Sequence, residues 1–138
     1  MEKIILKSKT LPVFGPYSTA VEYRGMIFLS GQLPIHPVSG EIVMDIQPAA
    51  RQVLTNIQTF LEENGLSMDH VVKTTIFLKK MADFAAVNEV YAGFFTSDPP
   101  ARSTVEVSAL PKGAPLEIEA VAVRNIKRPT QNGILDHR

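Results

Sequence analysis

The chain contains no cysteine and no tryptophan. Without cysteine there is no disulfide framework, no thiolate nucleophile and no thiolate-held zinc. Its histidines are few and well separated, at His36, His70 and His137, so metal ligation and Ser–His catalysis are poorly supplied. Neither sign of charge is in excess: 14 Lys+Arg balance 14 Asp+Glu. The basic footprint of a nucleic-acid binder is therefore missing. No apolar run reaches the length of a membrane span, and Ile4-Ile5-Leu6 is too short for the apolar part of a signal peptide. These absences predict a cytoplasmic protein with neither nucleic-acid nor membrane partners. There is also no phosphate loop, dinucleotide fingerprint or metal motif, so no cofactor is expected.

What is present is an ordinary globular composition. The 138 residues are 45% hydrophobic and 20% charged, enough for one domain with a real core. Residues 4–6 suit a short strand, and 18–23 with 26–30 suit a hairpin around Arg24-Gly25. A helix is predicted from Pro48, a residue suited to a first turn. Its apolar stripe is Ala50, Val53, Leu54, Ile57 and Leu61, and Asn64-Gly65 stops it. Residues 70–79 read as a strand whose more apolar face is Val72, Thr74, Ile76 and Leu78. Asp83 is placed to cap a second helix carrying Phe84, Val87, Tyr91 and Phe94. Strands are predicted over 101–108 and 116–124. The polar stretch 125–138 reads as a mobile C-terminal extension to a domain spanning 1–124.

The order β-β-β-α-β-α-β-β predicts an α+β fold, a mixed sheet with two helices packed on one face. The last strand is apolar on both sides, with Leu116, Ile118, Ala120 and Ala122 opposite Val121 and Val123. A sheet apolar on both faces and roofed on one is expected to be buried by another subunit.

Three groups of residues carry candidate chemistry. In Ala101-Arg102-Ser103-Thr104-Val105-Glu106-Val107, alternation puts Arg102, Thr104 and Glu106 on one face. A guanidinium flanked by apolar residues needs an anion, and its planar fork fits a carboxylate. The competing reading is a structural ion pair with Glu106, Glu117 or Glu119. Glu117 and Glu119 share a face of the last strand, where like charges can separate acid and base roles; the plainer reading is a solvated edge. Gly15-Pro16-Tyr17-Ser18 and Ser30-Gly31-Gln32 each set a hydroxyl beside a glycine, which suits close approach to a ligand or, more plainly, an ordinary turn and a β-bulge respectively. Asn88 falls within the second helix.

The segments Phe14-Gly15-Pro16-Tyr17-Ser18, Phe28-Leu29-Ser30-Gly31-Gln32-Leu33-Pro34 and Ser39-Gly40-Glu41 resemble the RidA (YjgF) family of imine deaminases. So do Pro100-Ala101-Arg102-Ser103-Thr104-Val105-Glu106-Val107, Leu110-Pro111-Lys112-Gly113-Ala114 and Glu117-Ile118-Glu119-Ala120. The resemblance runs over about residues 3–124. It implies a chorismate-mutase-like fold, a homotrimer and ligand clefts between subunits. It assigns Arg102 to the substrate carboxylate and Glu117 to the attacking water. Tyr17, Ser30, Gly31, Asn88 and Thr104 are then substrate-binding residues. Thr104 stands where many members carry Cys.

The implied reaction is hydrolytic deamination of enamine/imine intermediates, 2-iminobutanoate and 2-iminopropanoate, to 2-oxo acids and ammonia, without a cofactor. One alternative is a non-catalytic trimeric sensor of small 2-oxo acids or other carboxylates. Another is an endoribonuclease, which the balanced charge and the lack of a histidine pair disfavour.

Overall fold

The structure is a computed structural model that describes residues 2–129 and 135–137. Three strands open the chain as an antiparallel meander: β1 (Ile4–Leu6), β2 (Ala20–Tyr23) and β3 (Met26–Gln32). The expected two-residue hairpin joins β2 to β3. Arg24 and Gly25 both take positive φ, 51° and 78°, as a turn that follows the strands' twist requires.

Helix α1 (Ile46–Glu63) follows. It starts two residues before the expected Pro48, with Asp45 as N-cap, because Ile46 also packs against the core. Then come β4 (Val71–Leu78), α2 (Phe84–Phe94), β5 (Ala101–Glu106) and β6 (Leu116–Val123). The six strands form one mixed sheet in the order β1-β2-β3-β6-β4-β5. Only β4 and β5 pair in parallel, and α2 makes their crossover. Helix α1 buries Val53, Leu54, Ile57, Phe60 and Leu61 against Ile27, Leu29, Ile76, Ile118 and their neighbours. Each such side chain contributes about 1.5–3 kcal/mol by leaving water.

Two expectations are corrected. The register of β4 against β6 shifts between Val71 and Lys73. This bulge turns Val71 into the core and leaves Val72 exposed, so the buried face is Val71, Thr74, Ile76 and Leu78. Asp83 sits at the N-cap of α2 with near-helical dihedrals, and its side chain makes no capping hydrogen bond. A 3₁₀ turn, Met81–Asp83, leads into the helix instead. The carboxylate of Glu106 anchors that turn, accepting from the Met81 backbone N–H at 2.7 Å.

Both helices lie on one sheet face. By strand alternation the opposite face presents Met26, Phe28, Phe77, Val105, Val121 and Val123. Of these, Met26, Phe28 and Val105 are each more than 40% exposed. The expected second apolar face therefore exists and is uncovered within one chain.

A bidentate ion pair closes the sheet at its C-terminal end. Arg124 Nε and Nη2 donate to Glu22 Oε2 and Oε1 at 2.9 and 2.8 Å, and Nη1 donates to the Asn64 carbonyl at 3.0 Å. Hydrogen bonding to the guanidinium holds the Glu22 carboxyl below the usual carboxylate range. Nothing in the sequence pattern pairs these two residues, which lie 102 positions apart. Past Arg124, β7 (Lys127–Pro129) pairs antiparallel with β8 (Leu135–His137) as a separate ribbon. The mobility expected for 125–138 bears also on residues 130–134 and 138, which lie outside the described residues.

Candidate active site

The chain from Leu29 to Gln32 slips out of register with β6, and that irregularity builds the first half of the site. Ser30 Oγ donates to the Ser18 carbonyl at 2.7 Å, and the Ser30 N–H donates to the Thr19 carbonyl at 2.9 Å. Gln32 Nε2 donates back to the Ser30 carbonyl at 3.0 Å. These bonds fix Gly31 directly over the Glu117 side chain. A Cβ on Gly31 would stand 2.8 Å from the Glu117 carboxyl carbon, closer than atoms pack. The bulge at Ser30-Gly31 thus sets the β3 backbone against the Glu117 side chain, and a side chain at position 31 would have to displace that carboxyl group.

Tyr17 belongs to the loop before β2, where its hydroxyl accepts from the Phe14 N–H at 3.2 Å. Tyr17, Ser30, Gly31, Glu117 and Glu119 line one cavity of about 560 Å³. Burial pushes the Glu117 carboxyl above its ordinary value, and the neighbouring Glu119 adds to the shift. A carboxylate in such surroundings is a stronger base than one in water, and holds a proton more readily once it has one.

The second half lies elsewhere. Arg102 pairs with Thr74 across β4 and β5, so it faces the helices. Its guanidinium carbon lies 4.9 Å from the Tyr91 ring centroid and 5.4 Å from that of Phe84. Tyr91 is held in turn by a 2.7 Å hydrogen bond between its hydroxyl and that of Thr74. Burial raises the Tyr91 pKa against the opposing pull of Thr74 and Arg102. Asn88, Tyr91, Phe95, Pro100 and Arg102 line an open recess. Beside it the Thr104 hydroxyl is buried with no hydrogen-bond partner.

Among the described residues, the ion pairing proposed as the structural alternative for Arg102 does not occur. Glu106 serves the Met81 turn, and Glu117 and Glu119 project from the other face of the sheet. The guanidinium is aimed by aromatic faces, which orient it without occupying its hydrogen-bonding fork.

The seven residues singled out from sequence therefore fall into two groups. Tyr17, Ser30, Gly31 and Glu117 share the cavity; Asn88 and Arg102 share the recess, with Thr104 two residues along β5 from Arg102. They lie on opposite sides of the sheet, with β4 between β5 and β6. Sequence reading missed Phe14, Gln32 and Lys112 at the cavity and the aromatic seat of Arg102. Tyr91 and Phe84 were read only as the apolar stripe of a helix, and nothing in their spacing marks a cation above them.

The family model described as Endoribonuclease L-PSP matches residues 7–124. The chain belongs to that family. It is the RidA/YjgF family that the sequence motifs resemble. The 2-iminobutanoate/2-iminopropanoate deaminase of Escherichia coli (strain K12) is 45% identical over 127 residues, covering 90% of this chain and 99% of that protein. A crystal structure of a Rid family protein from Yersinia pestis superposes with a TM-score of 0.85. It is 46% identical, over 88% of this chain and 99% of that one. The crystal structure of Escherichia coli TdcF with bound serine gives a TM-score of 0.83 at 42% identity, over 88% and 98%.

No helix among the described residues is long and apolar enough to cross a membrane. No group of three or more His, Asp or Glu among them is placed to hold a metal ion.

Proposed function

We propose that this protein is a homotrimeric deaminase that hydrolyses small 2-imino acids, 2-iminobutanoate and 2-iminopropanoate, to 2-oxo acids and ammonia. The observation that carries the reading is Arg102, a guanidinium held on two aromatic rings with no carboxylate partner among the described residues. A substrate carboxylate supplies the missing anion. The E. coli relative named for this reaction supports the substrate class.

The two groups of residues become one site if the recess of one subunit meets the cavity of the next. The uncovered apolar sheet face gives the surface on which subunits pack. Arg102 then fixes the substrate carboxylate, and C2 sits over Glu117. Glu117 accepts a proton from water as its oxygen adds to the protonated imine carbon. The resulting carbinolamine takes that proton on nitrogen. Its C–N bond breaks with release of ammonia, Glu117 takes the hydroxyl proton as the carbonyl forms, and the ammonia carries that proton away as ammonium, leaving Glu117 ionised again. Iminium plus water yields 2-oxo acid plus ammonium, with no redox change. Positioning is the main contribution, since the electrophile is already activated.

The test follows the rate of 2-oxobutanoate appearance from threonine and a threonine dehydratase, with and without this protein. A rate rise proportional to added protein is expected. An unchanged rate with tight carboxylate binding would leave the sensor reading, which the serine-bound TdcF structure favours.

Two expectations arise from the Glu117 seat. Gly31→Ala displaces the flexible end of Glu117, so kcat is expected to fall about a hundredfold, with the thermal midpoint nearly unchanged. Steady-state kinetics beside a melting curve checks this. The second concerns pH. Glu117 must be ionised to accept a proton, so kcat/KM rises with pH through an inflection above the ordinary carboxylate range. Glu119→Gln removes a like charge and moves that inflection down. The sign for stability is opposite. A carboxyl whose folded pKa is raised loses stability as pH rises from its unfolded to its folded pKa. Glu117→Gln is therefore expected to raise Tm at neutral pH and to lose that advantage in acid.

A further inference from the structure

Among the described residues, Lys112 is the only cationic one lining the Glu117 cavity. It sits in the 3₁₀ turn Pro111–Gly113 between β5 and β6, with φ 58° and ψ 19°. A non-glycine residue in that left-handed region costs about 1 kcal/mol or more. The turn therefore holds Lys112 where a relaxed chain would not. Its ammonium lies 4.3 Å from the centroid of the Phe14 ring, on the loop before β2 that also lines the cavity. The side chain thus spans from one wall to another. It makes no ion pair with either cavity carboxylate, since the one salt bridge among the described residues is Arg124–Glu22.

A cavity that carries Glu117 and Glu119 repels any anion that approaches it. An imino acid carries a carboxylate; the chain's own Arg102 lies across the sheet from this cavity, and in the proposed site a guanidinium reaches the substrate only from the neighbouring subunit. Entry of an anion past two carboxylates calls for a compensating charge on the cavity wall itself. A cation held at a cleft attracts oppositely charged solutes and raises their local concentration. The Phe14 face holds the ammonium without neutralising it.

We propose that Lys112 is a specificity-determining residue that admits carboxylate-bearing substrates to the Glu117 cavity. This rests on the imine-hydrolysis reading for its substrate, and it adds a role for a residue outside the reacting group. Lys112 acts on capture, so its loss raises KM and leaves kcat close to wild type.

The experiment compares wild type with Lys112→Met, which keeps the length and the apolar stem, and with Lys112→Arg, which restores the charge. Imine hydrolysis is measured at several ionic strengths, and 2-oxobutanoate binding is measured by calorimetry in parallel. For Lys112→Met, kcat/KM is expected to fall about tenfold at low salt, and its salt dependence to flatten. Lys112→Arg is expected to recover most of the loss, and 2-oxobutanoate binding to weaken in step with KM. If wild type hydrolyses the imine and Lys112→Met keeps its KM and salt dependence, the inference is overturned while the proposed activity stands. If wild type shows no turnover but binds 2-oxobutanoate through Lys112, the activity fails and the admission role stands. A fall in kcat at constant KM also overturns it, because that places Lys112 in the chemical step.

Discussion

Arg102→Ala is expected to abolish measurable imine hydrolysis while leaving fold and assembly intact. The guanidinium rests on Tyr91 and Phe84 and makes no ion pair among the described residues, so its removal strands no buried carboxylate. What is lost is a two-point grip on the substrate. A charge-assisted bidentate contact of this kind is worth about 3 kcal/mol or more in the transition state, a hundredfold or more in rate. Arg102→Lys is expected to recover little. An ammonium keeps the charge and some of the cation–π attraction, but it lacks the planar fork. Ammonia release and circular dichroism on the same preparations give the two readouts. Unfolding of Arg102→Ala would show a structural role. Near wild-type turnover would place the carboxylate anchor elsewhere.

Activity lost in two separate variants is expected to return when they are mixed. Arg102 faces the helices from β5, and Glu117 faces the uncovered side from β6. No single chain brings them to one cavity. If the cleft forms between subunits, Arg102→Ala and Glu117→Gln damage opposite sides of every site. Unfolding and refolding the two together scrambles the subunits. In a head-to-tail ring formed at random from equal amounts, about a quarter of the sites pair an intact Arg102 with an intact Glu117. Turnover near a quarter of wild type is expected from a mixture whose parents are each nearly silent. Failure of the refolded mixture to gain activity, with mixed trimers demonstrated by mass, would put both residues in service of a single chain. A species that sediments as a 15.2 kDa monomer would remove the shared cleft altogether.

Much of the fold was legible because it depends on patterns that are local. The stripe Ala50, Val53, Leu54, Ile57 and Leu61 follows the helical period, and α1 buries every one of them. Arg24-Gly25 could take the positive φ values that the hairpin demands. Alternation in β6 separated Leu116, Ile118, Ala120 and Ala122 from Val121 and Val123, and the structure places a helix layer over the first set alone. Errors arose where a neighbour outweighed the local preference. Asp83 has the chemistry of a cap, but Glu106, more than twenty residues away, anchors the turn that precedes α2. The bulge in β4 exchanges Val71 for Val72, and a one-residue slip leaves no trace in composition.

The site shows the same division. The sequence by itself determined which residue types were available: no thiol, three scattered histidines, an arginine set among apolar strand positions, and two carboxylates on one face of a strand. Those constraints narrow the chemistry to carboxylate recognition and carboxylate acid–base work. Only the tertiary structure decided that Gly31 presses on Glu117, that Arg102 lies on Tyr91 and Phe84, that Glu22 and Arg124 form a clamp, and that Lys112 crosses to Phe14. Each of these contacts joins segments far apart in the chain, and their geometry follows from strand order and sheet face. A sequence specifies periodicity within a segment. Which segments become neighbours is set by the packing of the whole core, and side-chain chemistry acts only once that packing has brought the groups within reach.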